Sequence, residues 1–371
     1  MKSWKDDPRG ATNPLFNDNK LKLGLFALNS GSQVMTLAPE RYMTDWERAD
    51  RTAAMMDRLG VEAMVSAMGW MGVPEDEPFT WTSALAARHA HIALIATFHM
   101  PLMHPSFVAR ASVTVDRVSA GRFGLNVVAG FNPDTFAAFG CRGVAQDERY
   151  DHAAEYMELL KKLWTSEEHF AFEGRYFNLP KVRCNPLPVQ KLPPVMNAGI
   201  SGRGQDFACK YADMVFTLLE ADMDDARAQI AHYKRRAREE FGREIQVWTQ
   251  GYIVIRETRR EAEDFLNYYA GEMADHQRIE AWLKALKMTA DTRDDPARRA
   301  RLYAGWAAGA GTGMVGTAQE VAEQLAALSD IGLDGMIWNT IEPETLLDHA
   351  GRALLPALEA SGHRRVRRQT S

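Results

Sequence analysis

Three cysteines in 371 residues, Cys141, Cys184 and Cys209, are too few and too far apart for a disulfide framework or a Cys-x-x-Cys zinc site. Their spacing fits a reducing compartment, and a cytoplasmic location is expected. The ten histidines form no His-Glu-x-x-His or other ligand pattern, so no metal is expected. No apolar run reaches the ~18 residues that suggest a membrane span. Met1 to Gly10 is charged and polar where a secretory signal is apolar. Positive charge is not in excess: a net charge of −5 and a pI of about 6.1 argue against a nucleic-acid partner. Self-similarity at a solenoid period is absent too.

What the chain does have is length enough to bury a large core unaided, and a regular alternation of short apolar runs with longer helical patterns, the signature of a parallel sheet. The strand candidates are Leu21–Leu28, Val61–Ser66, Ile92–Thr97, Phe123–Val128, Val195–Ala198, Met214–Thr217, Trp248–Ile255 and Met336–Trp338. Helical patterns lie between them at Asp45–Leu59, Phe79–His89, Ser106–Val118, Tyr150–Trp164, Gly204–Tyr211, Asp222–Phe241 and Thr317–Ile331. This order predicts an α/β fold, a (β/α)₈ TIM barrel, as a single domain over 21–360. Residues 1–20 read as an N-terminal extension and 361–371, with its basic run His363–Arg368, as a flexible solvated tail. Two insertions break the alternation. Residues 169–178 read as a hairpin turning at Glu173-Gly174. Residues 257–313, helical and closing in a glycine-rich stretch, read as an extra helical layer or a mobile lid with glycine hinges.

Gly311-Thr-Gly313-Met-Val-Gly316 matches the dinucleotide pattern G-x-G-x-x-G, but no convincing strand leads into it. It reads better as a flexible loop before a helix capped by Thr317 and Glu320. Gly199-Ile-Ser201-Gly-Arg203 resembles a nucleophile elbow except that Arg203 stands where glycine is required. A strand runs into this turn and a helix follows, so the backbone N–H groups of Ser201, Gly202 and Arg203 suit a phosphate. A plain serine N-cap is the equal alternative. His99 and His104 flank the end of the third strand, where barrel active sites lie, whereas His89 and His91 fall on the opposite rim. In Asp116-Arg-Val-Ser-Ala-Gly121-Arg122-Phe-Gly-Leu-Asn126, Gly121 permits a sharp turn, and Asp116 and Arg122 tie that turn together at the bottom rim. Asn126 is an amide inside an apolar strand and needs partners. Thr97 ends the preceding strand in the same way.

Ser119-Ala-Gly121-Arg122 followed by Asn126-Val-Val-Ala-Gly130 resembles the signature of the luciferase-like flavin monooxygenases. Arg149-Tyr150, Ala198-Gly-Ile-Ser201 and Val315-Gly316-Thr317 extend the resemblance, which runs from Leu21 to about Leu358 and is strongest to the pyrimidine and dimethyl sulfone monooxygenase branches. It implies FMN at the C-terminal mouth of the barrel, with Met68 and Gly69 beside the ring and Thr97 and Asn126 near flavin N5 as the catalytic pair. It also implies Arg149, Tyr150, Gly199 and Ser201 at the ribityl-phosphate tail, and Thr135 in place of an acidic flavin contact. Oxygen activation at N5, through a flavin-N5-peroxide, is the implied chemistry. Trp70, Met71, Phe98, His99 and Phe131 would line the substrate pocket, which favours an apolar, aromatic, heterocyclic, halogenated or organosulfur molecule. Nothing in the chain resembles a nicotinamide site, so reduced FMN is expected from a separate NAD(P)H:flavin reductase. Family habit implies a homodimer or homotetramer. A deazaflavin-dependent oxidoreductase on the same barrel and a non-catalytic flavin-binding protein are the competing readings.

Overall fold

Runs rich in Val, Ile, Leu and Met, bounded by turn residues, become strands covered on both faces. The computed structural model describes residues 12–365 apart from 32, 70–73, 131–132, 142–143, 146–147, 200 and 288–295. In chain order the strands are β1 (Lys22–Phe26), β2 (Ala63–Val65), β3 (Ala93–His99), β4 (Phe123–Val128), the antiparallel hairpin β5 (Phe170–Glu173) and β6 (Asn178–Val182), then β7 (Val195–Asn197), β8 (Met214–Thr217), β9 (Gln246–Ile255), β10 (Thr312–Gly316) and β11 (Gly335–Asn339). Eight parallel strands close in the order β1-β2-β3-β4-β7-β8-β9-β11, with β11 pairing back onto β1. The fold is a (β/α)₈ barrel.

The helices form the outer ring: α1 (Trp46–Leu59), α2 (Pro78–Arg88), α3 (Pro105–Val118), the short α4 (Pro133–Ala138), α5 (Arg149–Thr165), α6 (Gly202–Tyr211) and α7 (Met223–Phe241). The later ones are α8 (Arg259–Asn267), α9 (His276–Lys287), α10 (Pro296–Ala308), α11 (Ala318–Asp330), α12 (Pro343–His349) and α13 (Leu355–Ala360). Their ends obey local chemistry. Asp45 caps α1 by accepting from the Arg48 backbone at 2.7 Å, and Gly60, left-handed at φ 69°, stops it. Thr317 and Glu320 close the expected capping box on α11.

Inside the barrel, Phe26, Val65, Ile95, Met196, Phe216, Trp248 and Ile337 fill the lumen. The N-terminal segment is part of this core: Leu15 and Phe16 join the same cluster, and Gln246 donates from its Nε2 to the Leu15 carbonyl at 2.8 Å. At the rim below, Gly121 turns at φ 86° as its position requires. Asp116 and Arg122, however, do not hold each other. Asp116 accepts from the Gln190 amide at 2.6 Å, and Arg122 donates to the carbonyls of Ile92 at 2.6 Å and His89 at 2.7 Å.

Two expectations are corrected here. The basic tail does not begin at residue 361: His363 and Arg364 are buried, and Arg364 pairs with Glu62 at 2.6 Å with both side chains at most 1% exposed. A carboxylate sealed beneath the barrel needs a countercharge, and the chain end supplies it. Residues 366–371 lie outside the described residues. The second correction is that Thr312–Gly316 is strand β10, not a loop. β9 runs ten residues, and its far half, Gly251–Ile255, offers a free edge that β10 takes up in parallel. Glycine permits the approach, since a Cβ on Gly313 would sit 2.3 Å from the Tyr252 hydroxyl.

Among the described residues of 257–311, the helices α8, α9 and α10 form a packed layer. Val34, Ala38, Val254, Tyr269 and Ile341 make one buried cluster, and Met35, Ala274, Ile279, Leu283 and Ala307 another.

Candidate active site

The pleat of β3 sorts its side chains. Ala93 and Ile95 enter the lumen, while Leu94, Ala96 and Phe98 face the helices, so Thr97 and His99 fall on the inner face at the mouth. Thr97 is fixed twice over: its backbone N–H donates to Ser66 Oγ at 3.0 Å, and its hydroxyl donates to the Ser66 carbonyl. With its proton committed, Thr97 Oγ1 can only accept from Asn126, whose Nδ2 lies 3.1 Å away in the paired register of β3 and β4. The chain Asn126 to Thr97 to Ser66 therefore dictates which end of the amide points where. Asn126 Oδ1 is left buried without a hydrogen-bond partner among the described residues. An orphaned acceptor at a barrel mouth costs about 1–3 kcal/mol unless a ligand supplies a donor.

His99 stands at the end of β3, and its ring bonds the Met68 backbone. Burial pushes its pKa down from 6.5 to about 4, more than that bond raises it. The imidazole is neutral near pH 7. Because the folded value lies below the unfolded one, stability should fall as the pH drops from 6.5 toward 4, where only the unfolded chain takes up the proton. His104 and His152, also lowered by burial, share this slope. His99→Gln is expected to flatten it in part, read as the difference between urea midpoints at pH 5 and pH 7; an unaltered difference contradicts the assignment.

Met68 is buried beside this group, and the Gly69 N–H donates to Glu75 at 2.6 Å. Phe98 is not a pocket residue. It packs outward between Phe79 of α2, at 6.1 Å between ring centroids, and Tyr156 of α5, at 5.9 Å, because the two-residue period sends it to the opposite face from Thr97. Thr135 is buried in the first turn of α4. Trp70, Met71 and Phe131 lie outside the described residues.

A second corner forms where the first turns of α5 and α6 meet. Arg149 donates from Nη1 to the Gly130 carbonyl at 2.8 Å and lies 5.0 Å from the Tyr150 ring centroid. Its Nε is buried without a partner among the described residues. Ser201 is the N-cap of α6, accepting from the Gly204 N–H at 3.2 Å. Capping uses only the hydroxyl's lone pair, so its proton stays available to an anion, and the two readings of this serine are compatible. Close approach shapes the corner: a Cβ on Gly204 would lie 2.5 Å from the Tyr150 hydroxyl, and one on Gly199 would lie 2.4 Å from the Gly204 carbonyl oxygen. Above Gly202 there is open space, with nothing within 4 Å of a Cβ position. A helix N-terminus, two hydroxyls and a guanidinium around an opening suit a phosphate.

Sequence reasoning missed Ser66, Gln250 and Asn339. Gln250, midway along β9, and Asn339, at the end of β11, both donate to the Gly309 carbonyl, at 3.5 and 2.6 Å. The signal that exposed Asn126, an amide within an apolar strand, was present at both.

The sequence matches the luciferase-like monooxygenase family over residues 21–335. The chain belongs to that family. Membership makes it a flavin-dependent monooxygenase. The FMNH2-dependent dimethylsulfone monooxygenase of Pseudomonas putida is 25% identical, over 88% of this chain and 92% of its own length. The pyrimidine monooxygenase RutA of Variovorax paradoxus (strain S110) is 30% identical, over 83% of this chain and 86% of its own. Among solved structures, the long-chain alkane monooxygenase LadA superposes with a TM-score of 0.84 at 22% identity, covering 95% of this chain and 94% of its own. The riboflavin lyase RcaE, solved with modified FMN and riboflavin, gives 0.82 at 24% identity, with 93% of each chain covered. These two likenesses show the shared fold. No helix among the described residues is long and apolar enough to cross a membrane.

Proposed function

We propose that this luciferase-like monooxygenase is the oxygenase half of a two-component system, taking reduced FMN from a separate NAD(P)H:flavin reductase and using dioxygen to oxygenate a small organic molecule. The observation that carries the reading is the unpartnered Asn126 Oδ1. Its orientation is forced, it can only accept, and a reduced flavin carries an N–H at N5 where the oxidised ring carries an acceptor. The FMNH2 dependence of the Pseudomonas putida dimethylsulfone monooxygenase points the same way.

FMN, when bound, supplies the electrons and the activation of dioxygen. The protein supplies position and exclusion of water. Arg149, Tyr150, Ser201 and the N-terminus of α6 would take the phosphate, with Gly199 and Gly204 keeping backbone and hydroxyl close together. Met68 and Gly69 would border the ring, and Thr135 would stand near it. Thr97, tied to Ser66, would hold Asn126 so that its Oδ1 stands as a fixed acceptor beside the reacting edge, needing no reorganisation during the reaction. His99, neutral at working pH, adds no positive charge to the wall.

The phosphate corner yields its own expectation. Gly204→Ala must displace the Tyr150 hydroxyl and should weaken FMN binding about tenfold, the worth of one charge-assisted hydrogen bond. Titration calorimetry reads this directly, and unchanged affinity would place the phosphate elsewhere.

The function itself is tested with isotopically labelled dioxygen. The purified protein, FMN, NADH and a flavin reductase are incubated with a panel of sulfones, heterocycles and haloaromatics. One labelled oxygen atom in a product, dependent on the reductase, supports the reading. Turnover that needs no oxygen and requires a reduced deazaflavin would overturn it.

A further inference from the structure

Among the described residues, Asn339 repeats the arrangement of Asn126 on the other side of the barrel. In the eight-strand ring β11 lies four strands from β4 in either direction, so Asn339 faces Asn126 across the mouth. Its place on the inner face follows from Ile337, two residues earlier, which lies in the lumen. Asn339 is 2% exposed, and its Nδ2 donates to the Gly309 carbonyl at 2.6 Å. A carbonyl only accepts, so the amide cannot be turned round, and Oδ1 is the atom left buried without a partner among the described residues.

The other side of this bond is equally fixed. Gly309 sits at φ 125°, where a Cβ would come within 3.0 Å of Asn339 Cβ and 3.2 Å of Tyr252 Cβ. The preceding carbonyl, of Ala308, accepts from the Tyr269 hydroxyl at 3.1 Å. Gln250 donates to the same Gly309 oxygen at 3.5 Å. Asn339 thus presents one immobile acceptor from a braced wall, above an apolar floor where Phe26 and Phe216 lie 6.4 Å apart between ring centroids.

We propose that Asn339 binds the substrate, and that the molecule oxygenated here is a largely apolar compound carrying an N–H donor (a lactam, carboxamide or N–H heterocycle) received by Asn339 Oδ1. The proposal rests on the reading of this mouth as the oxygenation site. It separates substrates by chemistry: a sulfone or an alkane has no donor to give, and binding one leaves the buried acceptor unpaired. Selection of this kind is strong because the penalty falls on the protein's own buried atom.

The experiment uses paired probes on the full chain: uracil with 1,3-dimethyluracil, and 2-pyridone with N-methyl-2-pyridone, with dimethyl sulfone as the donor-free compound. Binding is measured by calorimetry without flavin, and again anaerobically with reduced FMN. Wild type should bind the N–H member of a pair at least about tenfold tighter than its N-methyl partner. In Asn339→Leu and Asn339→Ser the gap should close to less than about twofold, and two variants guard against one failing to fold. A gap that survives both substitutions reports bulk alone and overturns the proposal. So does dimethyl sulfone binding as well as the N–H probes, or no binding of either N–H probe. Failure of the functional reading looks different: reduced FMN would not bind, whatever the flavin-free probe series shows.

Discussion

Replacing Asn126 by alanine is expected to lower substrate-dependent oxygen incorporation about a hundredfold or more, the loss typical when one preorganised hydrogen-bonding group is removed from a reacting centre. Reduced FMN should still bind, about fivefold more weakly, because a single neutral hydrogen bond is worth about 1 kcal/mol. The asymmetry follows from geometry. The corner at Arg149, Tyr150 and Ser201 proposed for the phosphate belongs to other elements and stays intact. What disappears is the fixed acceptor and the donor to Thr97 Oγ1, whose own proton remains tied to Ser66. Thr97 would then keep its place and lose its neighbour. Stopped-flow mixing of the reduced complex with oxygenated buffer, followed by product analysis, separates binding from chemistry. Wild-type oxygenation in the variant would remove Asn126 from the mechanism.

The largest stability effect is expected far from the mouth. Arg364→Met should destabilise the chain by about 3–5 kcal/mol, the usual consequence of stripping one partner from a buried ion pair. Arg364 donates to Glu62 at 2.6 Å, to the Gly60 carbonyl at 2.8 Å and to the Leu21 carbonyl at 3.2 Å. Glu62 also accepts from Asn17 at 3.1 Å and from the Leu23 backbone at 2.9 Å, so it cannot retreat to solvent. The carboxylate is left sealed in with neutral donors alone. Adding Glu62→Gln to the same chain should recover much of the loss, since a neutral amide needs no countercharge. Urea midpoints of the two variants against wild type decide this. A loss below about 1 kcal/mol for Arg364→Met would mean the pair behaves as a surface contact.

The barrel was legible because its strands obey a two-residue period inside short apolar runs and its helices begin and end on recognisable caps. Asp45 with Gly60, and Thr317 with Glu320, are cases in which local chemistry alone set an element's boundary. Asn126 and Thr97 were legible for a related reason: a polar side chain at the end of an apolar strand must be satisfied by something. Phe98, one residue away, is near the mouth in sequence, but the alternation turns it toward Phe79 and Tyr156 and away from the pocket. β10 was hidden by its glycines, which normally signal a loop but here permit close contact with Tyr252 and the edge of β9. The burial of Arg364 depends on Glu62, 302 positions earlier in the chain, and no local pattern carries such information. Asn339 and Gln250 are readable by the rule that finds Asn126, but their shared partner, the Gly309 carbonyl, lies in a glycine-rich stretch with no local pattern to announce it.

The central claim, that the mouth of this barrel is built for reduced FMN, is tested most directly by anaerobic titration with reduced and then oxidised FMN, following tryptophan fluorescence. Binding of the reduced form at least about tenfold tighter, with the preference shrinking in Asn126→Ala, is the result the acceptor at Asn126 predicts. Equal affinity for the two forms, or a preference untouched by that substitution, would contradict it.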